Sequence, residues 1–162
     1  MLIDTIRFGQ VEIDEMKLIR FDSGIPGLEE YNSYALLKFD DSYPIMWLQS
    51  VEDRGICLPV LDTFAVLPGY VFDINETDVK ELRLKGPEEL YVTSVLVIPD
   101  DIKNMTVNLA APIIINTVTG KAKQIVLSGS DYNVRAPVFP EICKVFMEEE
   151  GAADAGSVKK AE

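Results

Sequence analysis

Leu90-Tyr91-Val92-Thr93-Ser94-Val95-Leu96-Val97-Ile98 is the stretch that decides the fold. It holds no Gly, Pro or charge and is rich in β-branched side chains, which lose rotamer freedom in a helix but suit a pleated strand. Its faces read Tyr91, Thr93, Val95, Val97 and Val92, Ser94, Leu96, Ile98, so both are expected to be largely buried.

The flanking chain repeats the pattern in shorter pieces. Tyr34 to Phe39 reads as a strand closed by Asp40-Asp41-Ser42-Tyr43-Pro44, and Ile45 to Ser50, apolar on nearly both faces, as a central strand carrying Trp47. Ile56 to Leu61 contains Pro59, which cannot donate to a ladder, and is expected at an edge or a strand end. Asp4 to Phe21 alternates with breaks at Gly9-Gln10 and Asp14-Glu15, as a meander does. Pro26-Gly27 and Pro68-Gly69 both fit a type II turn. Downstream, Val107 and Leu109 share a face, Pro112 interrupts, Ile113 to Asn116 forms a strand, and Ala122 to Leu127 returns with Gln124 breaking an apolar run.

Helical signals are few. Asn75 can cap a helix over Asn75 to Leu84, with Glu76 and Asp78 in its first turn and Gly86-Pro87 beyond its end. Pro140, Ile142, Val145 and Phe146 suggest a second helix ending near Glu150, and the small, polar Gly151 to Glu162 reads as a mobile tail. The expectation is a mainly β fold: a closed or nearly closed antiparallel barrel-like sheet with one or two short helices. Residues 1–139 form the β domain, and 140–162 the C-terminal helix and acidic tail.

Charge narrows the function. Fifteen Lys+Arg against 27 Asp+Glu give a net charge of −12. Six acids and three bases after residue 140 account for −3 of it, so −9 belongs to the β domain. Phosphate backbones repel such a surface, and the bases are scattered singly apart from Lys159-Lys160, so direct nucleic-acid binding is not expected. Acidity can serve solubility alone, or it can recruit a basic protein; composition favours the first. No apolar run approaches the roughly 18 residues of a membrane span. The start, Met1-Leu2-Ile3-Asp4-Thr5, lacks the features of a signal peptide, which points to the cytoplasm. Cys57 and Cys143 allow at most one bridge, which a domain this size does not need; buried or idle thiols are expected.

Catalytic parts are missing. Without histidine there is no Ser-His-Asp or Cys-His constellation, and two distant cysteines cannot hold zinc. The chain has no GxxxxGK[ST] loop and no GxGxxG after a strand, and Ser23-Gly24-Ile25-Pro26-Gly27-Leu28 has no lysine to reach a phosphate. The acidic pairs Glu29-Glu30, Asp40-Asp41, Glu88-Glu89 and Asp100-Asp101 lie at turns, where carboxylates are ordinarily solvated. No enzyme activity, cofactor or metal is expected.

Four stretches carry a family likeness: Gly24-Ile25-Pro26-Gly27-Leu28 followed by Glu29 and Tyr31; Trp47-Leu48-Gln49-Ser50; Thr106-Val107-Asn108-Leu109-Ala110-Ala111-Pro112-Ile113 with Asn116; and Gly120-Lys121 with Gln124 through Leu127. In this order, over about residues 1–139, the chain resembles FliW, the bacterial flagellar assembly factor. The third stretch is the most specific, and the segment after Pro140 is not part of the pattern.

The resemblance implies two partners, flagellin and the translational repressor CsrA. Flagellin that accumulates occupies FliW and leaves CsrA free to repress flagellin translation; once flagellin is secreted, FliW sequesters CsrA. It thereby turns the reading of the acidity towards recruitment of a basic partner. Trp47, Leu48, Val107, Leu109 and Ile113 are expected in the core. Asn108, Asn116 and Gln124, polar within apolar strands, either satisfy backbone groups at bends or touch a partner. The exposed acids Glu29, Glu30, Asp40, Asp41, Glu88 and Glu89 are the better candidates for CsrA, although each pair by itself reads as a solvated turn. Two other functions stay open: a dedicated flagellin chaperone without translational regulation, and a small-molecule-binding β-barrel.

Overall fold

A computed structural model describes residues 1–156 of the 162. The described residues form strands β1 (Leu2–Thr5), β2 (Gly9–Glu12), β3 (Ile19–Phe21), β4 (Ser33–Leu37), β5 (Ile45–Ser50), β6 (Cys57–Asp62), β7 (Leu90–Val97), β8 (Thr106–Val107), β9 (Ile113–Asn116), β10 (Lys121–Gln124) and β11 (Ala136–Pro137). Helices are α1 (Thr63–Val66), α2 (Glu76–Glu81) and α3 (Phe139–Gly156).

The stretch from Leu90 is the hub. Its first half pairs with β9, from Leu90 opposite Asn116 to Thr93 opposite Ile113. Farther along the same edge Leu96-Val97 pair with β8, and on the other edge Thr93 to Val95 pair with β6, which β7 then leaves. From β6 the ladder continues through β5, β4, β3 and β10 to β9, so seven strands close on themselves. Closure removes the unpaired edges that an open sheet must protect. One junction departs from the antiparallel expectation: β3 and β10 run parallel, with Arg20 opposite Lys121 and Phe21 opposite Ala122. These strands are far apart in sequence, and only sequence neighbours joined by a tight turn are obliged to be antiparallel.

Pro59 does not mark an edge. β6 is interior, with β5 on one side and β7 on the other. The bonds Ser50 N–H to Ile56 and Asp62 N–H to Pro44 place Pro59, opposite Trp47, at a position that makes no ladder bond to β5. On the β7 side it lies one residue beyond the last pair, Val60 with Val95. The ring therefore occupies the spot where β7 departs and no N–H is needed.

The core has three parts. Phe21, Tyr34, Met46, Leu48, Val60 and Ile113 fill the barrel interior. On one outer face Leu61, Tyr70, Leu82, Val92, Val107 and Ile125 pack beneath α1, α2 and the loop between them. On another, the β1–β2 hairpin covers Ala35 and Leu37 through Ile3, Phe8 and Val11. Leu48, Val107, Leu109 and Ile113 are buried as expected. Trp47 is not: it is half-buried in the outer cluster, against Phe8, with the Arg7 guanidinium 4.7 Å from its ring centroid. Alternation placed Trp47 opposite to Leu48, so when Leu48 fills the barrel, Trp47 must point outward.

Helix content exceeds the expectation by one, because the single turn α1, Thr63-Phe64-Ala65-Val66, is too short for a periodic signal, and its N-cap Asp62 makes no side-chain cap bond, accepting instead from the Tyr43 hydroxyl at 2.6 Å. Asn75 does cap α2, accepting from the Asp78 N–H at 2.8 Å, but the helix stops at Glu81, short of Leu84, and Arg83 follows at φ +53°. α3 runs beyond the expected end near Glu150 to Gly156, through the good helix formers Ala152, Ala153 and Ala155. The remainder of the expected mobile tail lies outside the described residues. Ile142 on α3 joins the outer core, with Val145 packed against it.

Candidate partner-binding surfaces

The three polar strand residues hold the backbone in place. Asn116 is 0% exposed at the end of β9. Its Nδ2 donates to the carbonyls of Leu82 (2.8 Å) and Arg83 (3.2 Å), and its Oδ1 accepts from the N–H groups of Val118 (2.8 Å) and Thr119 (3.2 Å). One side chain thus ties the end of α2 to the β9–β10 turn. The half-buried Gln124 donates to the Ala111 carbonyl at 3.1 Å, and Asn108 accepts from the Ala110 N–H at 3.1 Å beside the Pro112 bend.

The six acids are not gathered on one face. Strands β4 to β7 alternate in direction, so Asp40-Asp41, in the β4–β5 turn, and Glu88-Glu89, entering β7, share one end of the barrel. Glu29-Glu30, preceding β4, lie at the other. Glu29, Glu30, Asp40, Asp41 and Glu88 are exposed, and Glu89 is half-buried.

The Glu29 end is the more elaborately built. Glu29 Oε2 accepts the Gly27 N–H at 3.1 Å, and that bond, with a second from its own N–H, holds its carboxyl below the usual range. Gly24 (φ +72°) makes the approach possible, since a Cβ there would lie 2.6 Å from Glu29 Cα. Glu52 accepts from the N–H groups of Asn32 (2.6 Å) and Ser33 (3.1 Å), and Asp53 accepts from the Tyr31 hydroxyl at 3.3 Å. The Asp53 charge in turn raises the Tyr31 pKa. Glu52 and Asp53 sit in the β5–β6 turn and so add two acids to this end, which no reading of Glu29-Glu30 alone could supply.

Several cations near these surfaces are engaged by other groups. Lys121 pairs with Asp22 at 2.6 Å, and Lys123 bridges Asp78 and Glu81 at 2.6 Å each. Arg7 lies over Trp47, and Lys38 over Tyr43 at 4.6 Å.

A different surface went unread in the sequence. Tyr70 contacts the rings of Phe64, Phe72 and Tyr132, with centroids 6.1, 5.2 and 4.7 Å away. Beside this cluster, Val71 and Val126 are 71% and 73% exposed. A groove of about 420 Å³ separates Val71–Asn75 from Ile125–Ser130. The available signal was Tyr70-Val71-Phe72, an aromatic run in a loop bounded by Pro68-Gly69 and Asn75. Among the described residues no group of three or more Cys, Asp or Glu could hold a metal, and no helix is long and apolar enough to cross a membrane. Both cysteines are free and half-buried, and burial raises the Cys57 thiol pKa.

The fold and its surfaces define a β-barrel with two packed outer layers and acidic turns. A crystal structure described as the flagellar assembly factor FliW shares it, with a TM-score of 0.80 and 30% identity, covering 86% of this chain and 98% of that one. The FliW protein family model matches residues 2–138. The flagellar assembly factor FliW of Alkaliphilus metalliredigens is 36% identical over 146 residues, 90% of each chain. That of Thermosipho africanus is 39% identical over 130 residues, 80% of this chain and 90% of its own. The chain belongs to the FliW family of flagellar assembly factors.

Proposed function

We propose that this chain is a non-catalytic partner switch of the cytoplasm, binding flagellin and a CsrA-type translational repressor in alternation. Free of flagellin, it sequesters the repressor and flagellin translation proceeds; loaded with flagellin, it lets the repressor act. The observation that carries this reading is membership of the flagellar assembly factors by a domain with a large acidic excess. An RNA-binding repressor must present basic residues, and the acidic ends of the barrel offer a complementary field. The exposed aliphatic and aromatic side chains around Phe64, Val71 and Val126 suit the apolar seam that unassembled flagellin carries.

Two neighbouring readings are separable. A dedicated chaperone would bind flagellin and leave the repressor alone. A small-molecule carrier would need room in the barrel, whereas Phe21, Tyr34, Met46 and Leu48 fill the interior, which favours the partner switch. Mixing the chain with each partner on a sizing column is the test. Co-elution with either partner alone, and displacement of the repressor by flagellin, is the expected result. Co-elution with flagellin only would leave the chaperone.

A further inference from the structure

The groove beside Tyr70 has the character of a missing strand. On one wall, Ile125 N–H donates to the Pro112 carbonyl and Leu127 N–H to the Ala110 carbonyl, both at 2.9 Å. Successive N–H groups of an extended chain point to opposite sides, so the Val126 N–H and C=O face away from that ladder, into the groove. On the other wall, the Asp73 N–H, two residues on from that of Val71 and so on the same side of the extended chain, donates to nothing among the described residues. The Val71 N–H is taken by the Tyr132 hydroxyl at 3.0 Å, which closes that end. Side chains on both walls alternate as in a sheet: Phe72, Ile74 and Leu127 pack onto the core, while Val71, Asp73 and Val126 point outward. Unpaired backbone of Asp73 and Val126 thus faces the groove from its two walls.

We propose that this slot takes one extended segment of a partner protein, inserted as a strand, with apolar side chains at alternate positions and a Lys or Arg among those between. Free backbone groups on two facing walls recognise an extended chain; a helix satisfies its own N–H and C=O groups and would leave them unpaired. The inward half of the slot is apolar. Among the described residues Asp73 is the one charged side chain lining it, and it lies on the outward half, so charge complementarity asks for a cation there. The proposal rests on the reading of this chain as a partner-binding protein and assigns that reading a surface and a form of ligand.

The test titrates the full chain with a ten-residue peptide alternating valine and threonine, with one threonine replaced by lysine. A second peptide carries N-methyl groups on alternate amides. Expected are binding, slowed amide exchange at Asp73 and Val126, and at least tenfold weaker binding after N-methylation. Val126→Pro removes an N–H the fold does not use and should weaken binding tenfold at an unchanged Tm; Asp73→Lys should do the same for the lysine peptide. Unchanged exchange at those two amides, or equal affinity of the two peptides, overturns the proposal. The same protein on a sizing column with flagellin and the repressor separates the two readings. Peptide binding without either complex keeps the slot and removes the flagellar reading. A complex without peptide binding does the reverse.

Discussion

Asn116 Nδ2 lies 2.8 Å from the carbonyl oxygen of Leu82, and through that bond a fully buried amide fastens the end of α2 to the barrel. Truncating it strands the buried Leu82 carbonyl and leaves the Arg83 carbonyl and the Val118 and Thr119 N–H groups, which water can reach, without their partner. Each unsatisfied buried group costs about 1–3 kcal/mol, with partial relief from water. Asn116→Ala should therefore lower stability by about 3 kcal/mol, and Tm by roughly 6–12 °C at this chain length. Asn116→Asp should be worse, since it places a charge against two carbonyl oxygens. Thermal melts of both variants check this; a change below about 0.5 kcal/mol would show that the amide is dispensable.

The Lys123 bridge predicts a pH dependence. Hydrogen bonds to Asp78 and then Glu81 raise the Lys123 pKa above its ordinary 10.5. A raised folded-state pKa means stability that is fully present below the unfolded value and lost as pH rises through the folded one. The wild type should lose stability above about pH 10.5 in part through this group, while Lys123→Met, already weaker at pH 8, should lose less over the same interval. Denaturant melts at pH 8 and 11 give the comparison, and parallel losses in both proteins would contradict it.

Trp47, the only tryptophan, reports on the hairpin that covers it. Phe8→Ala deletes a ring 5.5 Å from the indole and should cost about 3 kcal/mol, the low end for a phenylalanine truncation because the site is half-exposed. Undocking of β1–β2 should then precede global unfolding, so that emission reddens at a lower denaturant concentration than the far-ultraviolet signal changes. Coincident transitions would place the hairpin within the barrel's cooperative unit.

Ile142 makes α3 part of the outer core rather than an appendage. It is 7% exposed and joins the cluster that includes Val138, so Ile142→Ala should cost about 2–4 kcal/mol. A chain ending at Pro140 should lose at least as much. Equal Tm values for that chain and the full one would return the boundary of the fold to residue 139.

What the sequence reveals follows from how local each signal is. Strand β7, the turns at Pro26-Gly27 and Asn116 to Gly120, and the Asn75 cap all follow from residues within a few positions of one another. The parallel β3–β10 pair, by contrast, joins residues about a hundred apart, and no periodicity encodes a partner. Pro59 misled because a missing donor matters only where a neighbouring strand needs it, and β7 turns away just there. The same limit applies to the surface. Acidic pairs can be counted along the chain, but their division between opposite ends of the barrel, with Glu52 and Asp53 joining Glu29-Glu30, depends on strand direction. The slot at Val126 depends on a bond that is absent.

The central claim is that surfaces of different chemistry hold the two partners. Titrating flagellin and the repressor separately against the chain, between about 50 and 500 mM salt, tests it most directly, because the screening length falls from roughly 14 to 4 Å over that range. Repressor affinity should fall clearly with salt while flagellin affinity changes little. Equal slopes would contradict the claim, and a flat repressor slope would mean that the charge of −12 serves only solubility.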